Sequence, residues 1–228
     1  MQRLNSNPRY PLSTLAVVGI AISLAFCGAG HAIPFYPIST VTSDTAGSDY
    51  FPASQLIEGP GVGFDAVEPH NRTSGLAWVT NAPNGDTGDY FSPTPTPGPR
   101  LVFDLGTDVL LGEISIWGYA DTNANGATDF SLQFASAADG TGGFGTSIPL
   151  NPSFTATQPV TPRQSFSFPY VVARYVELTP LDNFFGINPP GGDRVGLGEV
   201  AFPVIPEPAT LSLLALGGLG LLRRRRRR

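Results

Sequence analysis

Residues 101–119 read LVFDLGTDVLLGEISIWGY, and the fold class turns on this stretch. Leu101 to Leu105 is a short apolar run that stops at Gly106. From Glu113 to Tyr119, Ile114 and Ile116 fall on one face and Ser115 and Trp117 on the other. A period of two belongs to a β-strand, whose successive side chains point to opposite faces. The spacing predicts two strands separated by a turn after Leu105.

Working outward, the same signal returns. Asp129 to Ala135 gathers Phe130, Leu132 and Phe134 on one face and leaves the other polar. Ser165 to Phe168 pairs Phe166 with Phe168, Ala173 to Leu178 sets Arg174 on the side of Val176 and Leu178, and Val195 to Phe202 closes the series. Upstream, Leu76 to Thr80 is short and apolar, and Tyr50 to Glu58 leads into the turn Gly59-Pro60-Gly61. Ile33 to Thr45 reads as a loose lead-in, and the Thr-Pro repeats between Asn81 and Arg100 make that loop extended and stiff. No amphipathic helix of three turns stands between the two ends. Short alternating segments divided by glycine and proline predict an all-β, antiparallel sandwich. About 170 residues suffice for one such domain with its own core.

The charge is unevenly placed. Between Ile33 and Ile205 there are five arginines, no lysine and 17 acids, a net charge of −12, whereas the whole chain carries only −5 because eight of its 13 arginines sit near the ends. An anionic body repels nucleic acid and anionic lipid, and suits solubility or cation binding. The one cysteine, Cys27, lies in the N-terminal segment, so no disulfide forms within the body, and stability must come from the core.

Both ends read as addresses. Arg3 and Arg9 precede an apolar stretch from Leu12 to Phe26, and Gly30-His31-Ala32 offers small residues for signal peptidase, so residues 1–32 are expected to be a cleaved export signal. Phe26 before Cys27 excludes a lipidated cysteine, which needs a small residue there. At the other end, Pro206, Glu207 and Pro208 are followed by the apolar run Ala209 to Leu222 and then by Arg223, Arg224, Arg225, Arg226, Arg227 and Arg228. As a helix the 14-residue run reaches about 21 Å, short of a bilayer core of about 30 Å. Counting from Val204 gives 19 residues and a thin span. Six arginines fit the cytoplasmic surface beyond a transmembrane helix and do not fit the interior of a globule.

This tail closely resembles the PEP-CTERM sorting signal. The resemblance implies recognition of Pro206-Glu207-Pro208 by exosortase, a membrane-embedded cysteine protease, with 209–222 as the membrane helix and 223–228 as the stop. The protein is then expected to be held transiently in the membrane and afterwards delivered to the cell surface or extracellular matrix. The boundaries are a signal at 1–32, a linker at 33–47, a β-sandwich at 48–203 and the sorting signal at 204–228.

A second resemblance covers Ser48 to Phe202. LIEG, W-V-T, R-L-V-F-D-L-G, I-S-I-W-G-Y, D-F-S-L-Q-F-A-S, A-R-Y-V-E-L and G-L-G-E-V-A-F follow in order, and the series is similar to the discoidin, or coagulation factor 5/8 type C, modules of the galactose-binding-like jelly roll. It implies two facing antiparallel sheets and one structural calcium. Glu58, beside Gly59, takes the place of the family's Asp-Gly acid, Glu199 that of its final acid, and Thr73 stands for the third ligand. Independently, Asp121, Asn123, Asn125 and Asp129 present oxygen ligands at calcium-loop intervals. Leu132 occupies the twelfth position, where a bidentate glutamate is required, which excludes an EF-hand and leaves a polar hairpin turn tipped by Asn125-Gly126 as the other reading.

Catalysis has little to draw on. His70 is the one histidine in the body, and neither G-x-S-x-G nor H-E-x-x-H occurs. The expected activity is therefore binding: an exported module whose end loops meet a glycan, such as the cell's own exopolysaccharide. The candidate contacts are His70 and Arg72, Tyr90 and Phe91, and Phe184 and Phe185. The alternatives are a purely structural surface protein and, third, a glycan hydrolase.

Overall fold

The segment around Gly106 forms one strand, Arg100–Gly118, instead of two. Pairing does not end at Gly106; it shifts register between Asp104 and Val109 and again between Leu111 and Glu113. Gly106 takes a φ of +79°, open to glycine without steric cost, so the strand bends where the sequence pattern suggested a stop.

The computed structural model describes residues 35–58, 77–83, 89–91, 98–119, 124–157, 163–185 and 194–205, all within the unit Ile33–Arg228. The expected signal segment, the PEP triplet, the apolar run and the arginine tail lie outside the described residues. Eight strands are described: β1 (Thr40–Asp44), β2 (Asp49–Phe51), β3 (Trp78–Thr80), β4 (Arg100–Gly118), β5 (Asp129–Ala135), β6 (Ser153–Thr155), β7 (Gln164–Pro180) and β8 (Gly196–Ala201). They hydrogen-bond in the order β2-β3-β8-β4-β7-β5-β6, with β1 also on β4, and every pairing is antiparallel.

This ribbon folds over on itself. Phe202 follows Ala201, which is opposite Ser115, yet its ring lies 5.9 Å from that of Phe103. A straight strand would hold positions 103 and 115 roughly 40 Å apart. Phe134 and Phe168 likewise meet at 5.1 Å, although Phe134 is opposite Val176. The β4–β7 pair therefore turns a corner near 106–112 and 168–173, and its two halves become the facing leaves of a sandwich. Leu101 and Phe103 from one half and Ile114 and Ile116 from the other share one buried cluster with Phe130, Leu132 and Leu178.

The lead-in is part of the sheet. Thr40–Asp44 pairs with β4 from Asp104 to Arg100, Tyr36 N donates to Phe202 O at 2.9 Å, and the Phe35 ring stands edge-on to Trp117 at 6.3 Å. Residues 40–44, expected to lie in a linker, are thus a strand of the sheet, and Tyr36, Ile38 and Val41 pack against the core cluster that holds Ile114 and Ile116. Across β2 and β3, Trp78 Nε1 donates to Asp49 Oδ1 at 2.9 Å, and Ser43 Oγ donates to the same oxygen at 2.8 Å.

The corner gives the molecule two unlike ends. At one, the ends of β1 and β3 meet the starts of β2 and β8, together with Arg100, Gly118 and the loop after β7. At the other lie the corner itself and Ile205, whose side chain reaches Gly112.

Candidate functional site

The loop end holds a cleft of about 480 Å³ whose described lining is Ala46, Gly47, Ser48, Asn81, Ala82, Pro83 and Arg194. Three segments remote in sequence build it, and each is pinned. Asn81 N donates to Ser48 O at 2.9 Å, and Asn81 Nδ2 reaches Ser48 Oγ at 3.3 Å. Ser48 is the one non-glycine residue described with positive φ, at 61°, a conformation that costs free energy and collects at functional sites. On the third side, buried Asn183 donates Nδ2 to Arg194 O at 2.7 Å and accepts Phe185 N on Oδ1 at 3.0 Å. Val195 N donates to Thr80 Oγ1 at 3.0 Å, so the backbone carrying Arg194 is tied to β3.

Arg194 places its guanidinium carbon 5.2 Å from the centre of the Tyr50 ring, and that ring is 56% exposed. Among the described residues Arg194 makes no ion pair. An exposed aromatic ring, a guanidinium without an ion pair among the described residues, an amide and a hydroxyl are the elements that recognise a polar ring: the apolar face stacks, and the fork of donors reaches hydroxyl or carboxylate oxygens.

A second cleft of about 570 Å³, lined by Asp44, Thr45, Ala46, Gly98, Arg100 and Thr179, adjoins the first through Ala46. Its cation is already engaged. Arg100 Nη2 lies 2.5 Å from Asp44 Oδ2 and Nη1 lies 3.7 Å from Glu177 Oε2, and the hydrogen bond to Asp44, followed by the charge of Glu177, raises its pKa. Burial pushes the Glu177 carboxyl above the usual carboxylate range, against the pull of Arg100.

The residues singled out in the sequence take different places. Tyr90 is buried, and its hydroxyl accepts Gly47 N at 3.2 Å and donates to Asn81 O at 2.8 Å. It ties together Gly47 and Asn81, two walls of the cleft. Phe91 is half-buried against the core. Phe184 is half-buried and Phe185 exposed at the loop end, while His70 and Arg72 lie outside the described residues. The pair at the cleft, Tyr50 and Arg194, has no sequence signature because residues 144 apart carry no shared motif; an arginine among 17 acids was the available signal.

The two metal expectations also separate. Glu199 is buried in β8, opposite Trp117, and Glu58 is exposed at the end of a 3-10 turn, Ala53–Ile57, that packs on β8. Thr73 lies outside the described residues. Carboxylate oxygens suit a hard cation, so Glu199 and Glu58 fit calcium in donor chemistry. Among the described residues no three acid, histidine or cysteine side chains cluster. In the other set, Asp121 and Asn123 fall outside the described residues, Asp129 Oδ1 accepts the Thr155 hydroxyl at 2.5 Å, and Asn125 O accepts Gly196 N at 2.8 Å. Gly126 is buried and bridges Gly196, so Asn125-Gly126 is not an exposed hairpin tip.

Residues 204–227 match the model of the PEP-CTERM protein-sorting motif. No curated protein matches the sequence. Among solved structures, a fucose binding module of Streptococcus pneumoniae aligns with 15% identity over 78% of this chain and 100% of its own, with a TM-score of 0.50. A truncated AlyQ with CBM32 and alginate lyase domains aligns with 19% identity over 78% of this chain and 35% of its own, also at 0.50. The chain thus carries a PEP-CTERM protein-sorting motif at 204–227 behind a body with the antiparallel β-sandwich fold of these carbohydrate-binding modules.

Proposed function

We propose that this chain is an exported surface or matrix protein that binds a glycan, without catalysis, in the cleft between Ser48, Asn81 and Arg194, with Tyr50 as the stacking ring. The observation that carries the reading is the placement of Arg194 over exposed Tyr50 beside that cleft. A fucose binding module with the same fold supports it. In this account signal peptidase removes 1–32, an exosortase acts at Pro206-Glu207-Pro208, and a structural calcium on Glu199 and Glu58 steadies the loop end. The cell's own exopolysaccharide is the natural ligand to try. Glycan-array binding by the chain, and its loss on Arg194→Ala, is the test; arrays silent for the unaltered chain favour a purely structural surface protein.

A further inference from the structure

Six large apolar side chains are exposed among the described residues, and they divide by end. Tyr50, Leu181 and Phe185 belong to the loop end. Leu110, Tyr170 and Val172, at 41%, 72% and 56% exposure, sit on the corner where β4 and β7 fold over. Leu110 and Val172 are direct partners across the ladder, so their side chains stand together on the outer face, while the neighbouring Leu111 and Ala173 turn inward and are buried. A Cβ added at Gly112 would fall 2.4 Å from a Tyr170 ring carbon and 3.2 Å from Ile205 Cδ1. The tyrosine ring and Ile205 therefore share the space above Gly112, and the patch runs up to the last described residue.

The chain beyond Ile205 identifies the occupant of this patch. Ala209, the first residue of the apolar run, is four residues on, a reach of at most about 14 Å for extended chain. While that run is held in a bilayer, the corner stands at the lipid interface. Leucine, valine and an amphipathic tyrosine are side chains that partition there. We propose that the Leu110–Tyr170–Val172 corner rests on the bilayer surface for as long as the sorting segment anchors the chain, which turns the loop-end cleft outward. The inference depends on the reading of 209–222 as a membrane anchor. The body's charge of −12 selects a zwitterionic interface over an anionic one.

The chain from Ile33 onward, as signal peptidase leaves it, with a fluorophore on Thr107→Cys beside the patch, is reconstituted into phosphatidylcholine vesicles containing nitroxide lipid. Expected are co-flotation with the vesicles and loss of most of the emission at position 107. A label on Tyr50→Cys at the loop end keeps its emission. The triple variant Leu110→Ser, Tyr170→Ser, Val172→Ser still co-floats, but position 107 recovers. Phosphatidylglycerol vesicles at low salt quench less than phosphatidylcholine ones. Quenching that survives the triple variant, quenching equal at both ends, or lipid-independent crosslinking of the patch to a second copy overturns the proposal while sparing the anchor. Failure to co-float removes the anchor reading and the proposal with it.

Discussion

Arg174 holds Asp104 with two parallel hydrogen bonds, Nε to Oδ1 at 2.7 Å and Nη2 to Oδ2 at 2.8 Å. Gly106 N adds a third, to Oδ1, at 2.7 Å. These bonds lie where β4 leaves its regular pairing with β7, so a carboxylate clamp marks the start of the bend.

The clamp sets an acid limit. Hydrogen bonds from Arg174, then the one from Gly106 and the charge of Arg174, hold the Asp104 carboxyl below the usual aspartate range, with burial opposing them. The stabilisation is complete above the unfolded-state pKa and disappears as pH falls through the depressed folded one. Glu177 works in reverse. Its pKa is raised by burial, so the folded chain holds that proton more tightly, and stability declines as pH rises from the ordinary glutamate range to the raised value. Melting midpoints across the acid range are expected to show a shallower acid loss in Asp104→Asn. Glu177→Gln is expected to gain most at neutral pH and nothing in acid. Unchanged profiles in both variants would remove these assignments.

Tyr90 tests whether the cleft needs its brace. Tyr90→Phe keeps the buried ring but strands Gly47 N and Asn81 O, at a cost of about 1–2 kcal/mol. Chemical denaturation should show that loss, and glycan affinity should drop because Gly47 and Asn81 line the cleft. Stability lost with affinity untouched would mean that the walls hold without it.

Calcium is checked by melting with and without chelator. A cation bound only by the folded chain raises the midpoint with its concentration, and Glu199→Gln should abolish that response. A midpoint indifferent to both calcium and chelator contradicts the metal.

Sorting is read by size. Glu207→Ala is expected to accumulate a longer, membrane-held form in cells that process the unaltered chain. Normal processing of that variant would mean that the acid between the two prolines is not what the protease reads.

The strands that form the core were legible because their alternation is local: Phe130, Leu132 and Phe134 lie on one buried face as the period of two requires. The PEP triplet, apolar run and arginines were legible for the same reason, being contiguous. Two things were not. Gly106 reads as a stop in any window of ten residues, and only the continuing partner strand shows it to be a bend. The cleft was hidden because its walls come from 46–48, 81–83 and 194, whose proximity is a product of strand order. Tyr90, in a proline-rich loop, looked like a surface aromatic until its hydroxyl found two backbone partners.

The most direct test of the account is glycan affinity of Tyr50→Ala and Arg194→Ala against the unaltered chain, measured by calorimetry on whichever sugar an array selects. Each substitution is expected to weaken binding at least about tenfold, the equivalent of ~1.4 kcal/mol, with no change in melting midpoint. Binding undiminished in both, at an intact midpoint, would contradict the assignment of this cleft.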